Sequence, residues 1–106
     1  MIRAGGSEGK AWGKAGRMSA RRLRIINEKG LHARASAKFV EVVEDHDAQA
    51  QVSKDGMTVS GDSIMGLLML GASRGTEIEV ATQGAEAEKL ADALEALVAN
   101  RFGEDY

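Results

Sequence analysis

From residue 76 to residue 82 the side chains alternate, with Ile78, Val80 and Thr82 on one side against Glu77, Glu79 and Ala81 on the other. A period of two describes a strand with one dry and one wet face, and the dry face has to be covered by other elements. The flanking sequence supplies the cover. Ala87, Leu90, Leu94, Leu97 and Val98 recur at helical spacing after Gly84, and residues 33–44 carry Ala33, Ala37, Val40 and Val43 with Phe39 beside them. Leu23, Ile25 and Ile26, set among charged residues from Arg22 and followed by Asn27-Glu28-Lys29-Gly30, read as a first strand ended by a turn. Residues 48–53 and 57–60 are two further strands joined through Lys54-Asp55-Gly56, whose Asp-Gly pair favours a hairpin. Asp62 or Ser63 can cap a short apolar helix over residues 64–70, where Gly71 permits a left-handed stop. The order is β-α-β-β-α-β-α. Short connections and a single hairpin make this an α+β open-faced β-sandwich, a four-stranded antiparallel sheet with three helices on one face.

Two such layers need one core, which a chain of 106 residues can build. Residues 1–19 show neither period and read as a disordered basic extension, with Met18 a candidate functional start; residues 20–106 form the domain. Arg3, Lys10, Lys14 and Arg17 against Glu8 give that extension +3 and leave −5 for the rest. A mildly acidic domain with 4% aromatic residues lacks the basic, stacking surface that nucleic acid demands. No apolar run is long enough for membrane insertion. The absence of cysteine excludes disulfide, thiolate and zinc-thiolate chemistry, and with no secretory pattern at the start the expected location is cytoplasmic. Neither a metal nor a cofactor is expected.

The chemistry concentrates at Gly30-Leu31-His32-Ala33-Arg34. This segment puts a histidine at the mouth of the first helix, where the amides of the first turn lack partners and the dipole is positive. Neutral imidazole is nucleophilic at neutral pH, and phosphoryl transfer to it needs alignment and stabilisation of the equatorial oxygens, which helix amides and the planar fork of Arg34 can provide. Taken alone, each residue also has a plainer role, His32 as a helix cap and Arg34 as a solvated cation. His46, between Asp45 and Asp47, is expected to be a solvated surface group.

Gly30-Leu31-His32-Ala33-Arg34, followed at the right distance by Ser63-Ile64-Met65-Gly66-Leu67-Leu68, resembles the two signature segments of the histidine-containing phosphocarrier (HPr) family of the sugar phosphotransferase system. The resemblance runs from about Arg22 to Asn100. It implies that His32 is phosphorylated on Nδ1 by the phosphoenolpyruvate-dependent Enzyme I and passes the group to a histidine of an EIIA protein or domain, making the chain a stoichiometric phosphocarrier rather than a stand-alone catalyst. It further implies that Arg34 contacts the phosphoryl group, that Ile64, Met65 and Leu68 dock partners, and that Ser63 matches a serine phosphorylated in some bacteria by HPr kinase/phosphorylase. One of the three docking residues is expected to turn into the core instead, and Ser63 also reads as a plain N-cap. Two positions depart from the pattern: Ala35 stands where the family often has proline, and Glu41 and Glu44 stand where it often has cations. The alternative function is a regulatory module of the same fold, in nitrogen-related or catabolite control, acting through Ser63 or the docking face. A monomer is expected.

Overall fold

Four strands, β1 (Arg17–Arg24), β2 (Gln49–Lys54), β3 (Met57–Ser60) and β4 (Glu77–Gly84), pair in the order β1-β4-β2-β3, each neighbour antiparallel. The computed structural model describes residues 17–106. Register sets Leu23 opposite Ile78, Val80 between Arg21 and Val52, and Thr82 opposite Ala50. The dry positions of three strands therefore fall on one face. Helices α1 (Ala33–Glu44), α2 (Ile64–Met69) and α3 (Ala87–Ala99) supply the cover, and Leu23, Val52, Ile78 and Val80 meet Phe39, Val43, Leu67, Leu90 and Leu94 in a single core. On the other face Arg22, Arg24, Gln49, Gln51, Glu77 and Glu79 remain exposed. The open-faced α+β sandwich is the one expected.

Two details differ from the sequence reading. The first strand runs from Arg17 to Arg24, not from Arg22 to Ile26, because β4 extends to Gly84 and offers Arg17, Met18 and Ser19 the partners Gly84, Gln83 and Thr82. Ile25 stays tied beyond the strand end, donating to the Thr76 carbonyl at 2.8 Å and accepting from the Gly75 amide at 2.7 Å. The rest of the expected extension, residues 1–16, lies outside the described residues. The buried stripe of α1 is Ala35, Ser36, Phe39, Val40 and Val43, rotated from the stripe read through Ala33 and Ala37. Phe39 and Val40 are the bulkiest apolar pair on the helix, and burying both turns Ala33 outward.

Two connections position the site. Gly30 adopts φ +68, and its Leu31 neighbour donates to the Ala72 carbonyl at 2.9 Å, which fixes the turn before α1. After α3, a short 3₁₀ turn (Arg101–Gly103) carries three successive positive φ values, 55, 55 and 80, and reverses the chain. Such angles cost a non-glycine residue free energy, and fully buried Phe102 offsets it by packing into the core. The tail then runs back beside α1: Lys38 Nζ donates to the Phe102 carbonyl at 2.8 Å, and the Glu28 amide donates to the Tyr106 carbonyl at 3.0 Å.

Candidate functional site

His32 is the N-cap of α1, its backbone extended at φ −83, ψ −175 and its carbonyl accepting the first helical hydrogen bond from Ser36 at 2.8 Å. The Arg34 amide donates to His32 Nδ1 at 3.3 Å. An N–H can donate to a ring nitrogen only where a lone pair lies, so Nδ1 is the unprotonated nitrogen and the neutral ring carries its proton on Nε2. Nε2 faces Glu104 Oε2. The cap bond is long and correspondingly weak, so the Nδ1 lone pair can be released to an electrophile. The ring is neither sealed nor turned away from the amides, since its side chain keeps 27% exposure.

Glu104 is held from two sides. Asn27 Nδ2 donates to its Oε1 at 3.0 Å and also to the Gly30 carbonyl at 2.9 Å, so one fully buried amide ties the tail to the turn that presents His32. Burial pushes the Glu104 carboxyl up, but hydrogen bonds from Asn27 and His32, with the positive charge of Lys29, outweigh it and hold the group below its ordinary value of 4.5. The unfolded chain thus protonates Glu104 first as pH falls. The stability it contributes is complete above pH about 4.5 and is lost as pH drops through the lower folded value. Thermal melts between pH 5 and pH 3 are therefore expected to fall less steeply for Glu104→Gln than for the parent; parallel curves would contradict it.

The Arg34 guanidinium has no hydrogen-bond or ion-pair partner among the described residues. It lines an open cleft of about 310 Å³ together with Lys29, Lys38 and the tail from Gly103 to Tyr106. Its backbone is therefore engaged with His32 while its charge remains available. Ala35, fully buried, brings the first turn an amide that proline would lack. Glu41 and Glu44 are exposed on α1.

Ser63 caps α2, accepting from the Gly66 amide at 3.0 Å, whereas Asp62 accepts instead from Ser60 Oγ at 2.5 Å. None of the three docking candidates turns inward: Ile64, Met65 and Leu68 are 41%, 68% and 36% exposed. The inward residue of this short helix is Leu67, and positions 64, 65, 68 and 69 share the outer surface, which adds Met69 to the patch. His46 is not a free surface group. It is partly buried, and its Nδ1 donates to the Val42 carbonyl at 2.8 Å, closing the end of α1.

Sequence reasoning missed Asn27, Glu104 and Met69. Asn27 has the composition of a turn and serves as one, but nothing local marks it as a buried bridge. Glu104 lies 72 residues from His32, so no spacing links them; the only cue is Gly103, a residue suited to a chain reversal just before the tail.

The family model described as "PTS HPr component phosphorylation site" matches residues 19–100. The phosphocarrier protein HPr of Cupriavidus necator is 45% identical over 87 residues, covering 82% of this chain and 98% of the relative. That of Pseudomonas aeruginosa is 42% identical over 88 residues, with 82% and 98% covered. Among solved structures, HPr-C-His from Thermoanaerobacter tengcongensis superposes with a TM-score of 0.79 at 35% identity, covering 83% of this chain and 99% of its own. The catabolite repression protein Crh of Bacillus subtilis gives 0.64 at 32% identity, covering 76% and 93%.

Proposed function

The chain belongs to the HPr family of phosphocarrier proteins, and from that premise we propose that His32 takes a phosphoryl group from phosphoenolpyruvate through Enzyme I and gives it to a histidine of an EIIA protein or domain in the cytoplasm. The observation that carries this reading is the Nδ1 lone pair, aimed at a first-turn amide on a ring open to solvent. The Nδ1 pair attacks phosphorus, an N–P bond forms, and the donor's bond to phosphorus breaks with its electrons leaving on the donor. The first-turn amides and the positive helix end then face the phosphoryl oxygens, and the unpaired Arg34 guanidinium can move from the cleft to share them. Nothing here calls for a metal or a cofactor.

The exposed Ile64, Met65, Leu68 and Met69 form the docking surface in this reading, since a methionine-rich patch repacks against successive partners. Met65→Lys is expected to raise the KM for phosphorylated Enzyme I roughly tenfold with little change in kcat, a loss of binding alone. A kcat loss at unchanged KM would remove the patch from docking. Phosphate on Ser63 would set about two negative charges at the rim of that patch and weaken the same step, the form regulation by HPr kinase/phosphorylase would take.

Incubation of the full chain with Enzyme I and phosphoenolpyruvate tests the proposal. The expected result is a mass gain of one phosphate, labile in acid, stable in base, and transferred onward when an EIIA domain is added. An unmodified chain, under conditions that phosphorylate a control carrier, would overturn it. Phosphate acceptance without onward transfer would favour the regulatory alternative.

A further inference from the structure

We propose that Glu104 is a positioning residue for His32: the tail carboxylate holds the imidazole as the Nε2–H tautomer and stabilises the cationic ring that forms when Nδ1 is phosphorylated. This role rests on the phosphocarrier reading and adds to it a group outside the two signature segments. Glu104 does not touch the phosphoryl group. It acts through the far nitrogen of the ring.

The geometry holds the carboxylate closely, two residues before Tyr106. Buried Phe102 anchors the reversal, Lys38 fastens its carbonyl, and the Tyr106 carbonyl is paired beyond it, so Glu104 is tied on both sides. One carboxylate oxygen is occupied by Asn27 and the other by His32. Asn27 also holds the Gly30 carbonyl, so the carboxylate and the turn presenting the ring are located by one buried side chain. A floppy terminal carboxylate would lose conformational entropy on pairing with the ring, and these ties leave little to lose.

The consequence follows from where the charge goes. As the N–P bond forms at Nδ1 the ring keeps its Nε2 proton, loses neutrality and becomes cationic, while the electron pair of the broken donor bond leaves with the donor. A carboxylate on Nε2 favours that state and restrains the ring from rotating Nδ1 away from the helix amides, as orienting carboxylates do for other histidines. The same carboxylate retains the ring's orientation when the group departs.

The test uses the full chain as Glu104→Ala, Glu104→Gln and Glu104→Asp, beside the parent. Nitrogen-15 NMR of the His32 ring is expected to give, in the parent, a protonated Nε2 with a slowly exchanging proton and a bare Nδ1. In Glu104→Ala the protection of that proton is lost, and phosphoryl acceptance from Enzyme I falls about 10–100-fold in kcat at nearly constant KM. Glu104→Gln is expected to fall between, because an amide offers one acceptor oxygen where the carboxylate offers two, and Glu104→Asp to recover part of the rate. A parent phosphorylated no faster than Glu104→Ala, with matching ring spectra, overturns this role and leaves the proposed function standing. A parent that accepts no phosphate at all overturns both. Melting curves for each variant separate loss of fold from loss of positioning, and a rate loss explained wholly by unfolding also counts against the role.

Discussion

His32→Asn is expected to take no acid-labile phosphate from Enzyme I, even though it should still fold and keep its helix cap. Asparagine is among the preferred N-cap residues, and its side-chain oxygen can accept the Arg34 amide bond that Nδ1 accepts in the parent. The cap therefore survives while the nucleophilic lone pair on a ring nitrogen is lost. His32→Ala removes both, and a missing cap costs about 1 kcal/mol in addition to the lost chemistry. Both variants strip Glu104 of its ring partner, so part of any destabilisation should disappear when either is combined with Glu104→Gln. Intact-mass measurement after incubation, with acid and base treatment, reads the chemistry, and thermal unfolding reads the cap. Acid-labile phosphate on His32→Asn would move the acceptor elsewhere. His46 is the one other histidine, and its Nδ1 is already committed to the Val42 carbonyl.

The parts of this molecule that could be read in advance are those whose cause is local. Alternation at 76–82 follows from one face of β4 being wet, and the Asp-Gly hairpin and Ser63 cap follow from backbone preferences of two or three residues. His32 at a helix mouth is local in the same sense, and the two signature segments strengthened it. What escaped depends on contacts between distant stretches. The start of β1 is set by how far β4 extends, the buried stripe of α1 by where Phe39 and Val40 find the sheet, and the place of Glu104 by a reversal after α3. The patch on α2 was half legible. Six residues are too few for a helical period to choose between inner and outer faces, so Leu67 and Met69 could be assigned only once the sheet was in place.

Gly30→Ala carries the second large expectation, and Gly71→Ala is its control. Both glycines have positive φ, +68 and +62, where an L side chain is strained by about 1 kcal/mol or somewhat more. Around Gly71 an added Cβ meets nothing within 4 Å, so the strain is the whole cost. At Gly30 the same atom would lie 2.6 Å from the Ala72 carbonyl oxygen and 3.0 Å from Ser73 Cα. Both are backbone atoms that cannot rotate aside, and the Ala72 carbonyl also holds the Leu31 amide. Relief requires separating the two segments, which strains that bond and the Asn27 contact to the Gly30 carbonyl together. Gly30→Ala is therefore expected to cost about 3 kcal/mol or more against about 1 for Gly71→Ala, a large share of a small domain's stability. Function should fall with it: Gly30 lies two residues before His32, and a displacement near 1 Å at a reacting group can cost about 100-fold in rate. Denaturant unfolding of both variants, with phosphoryl acceptance measured well below their midpoints, checks the pair. Equal stability losses would show that the approach of this turn to Ala72 does not fix the histidine.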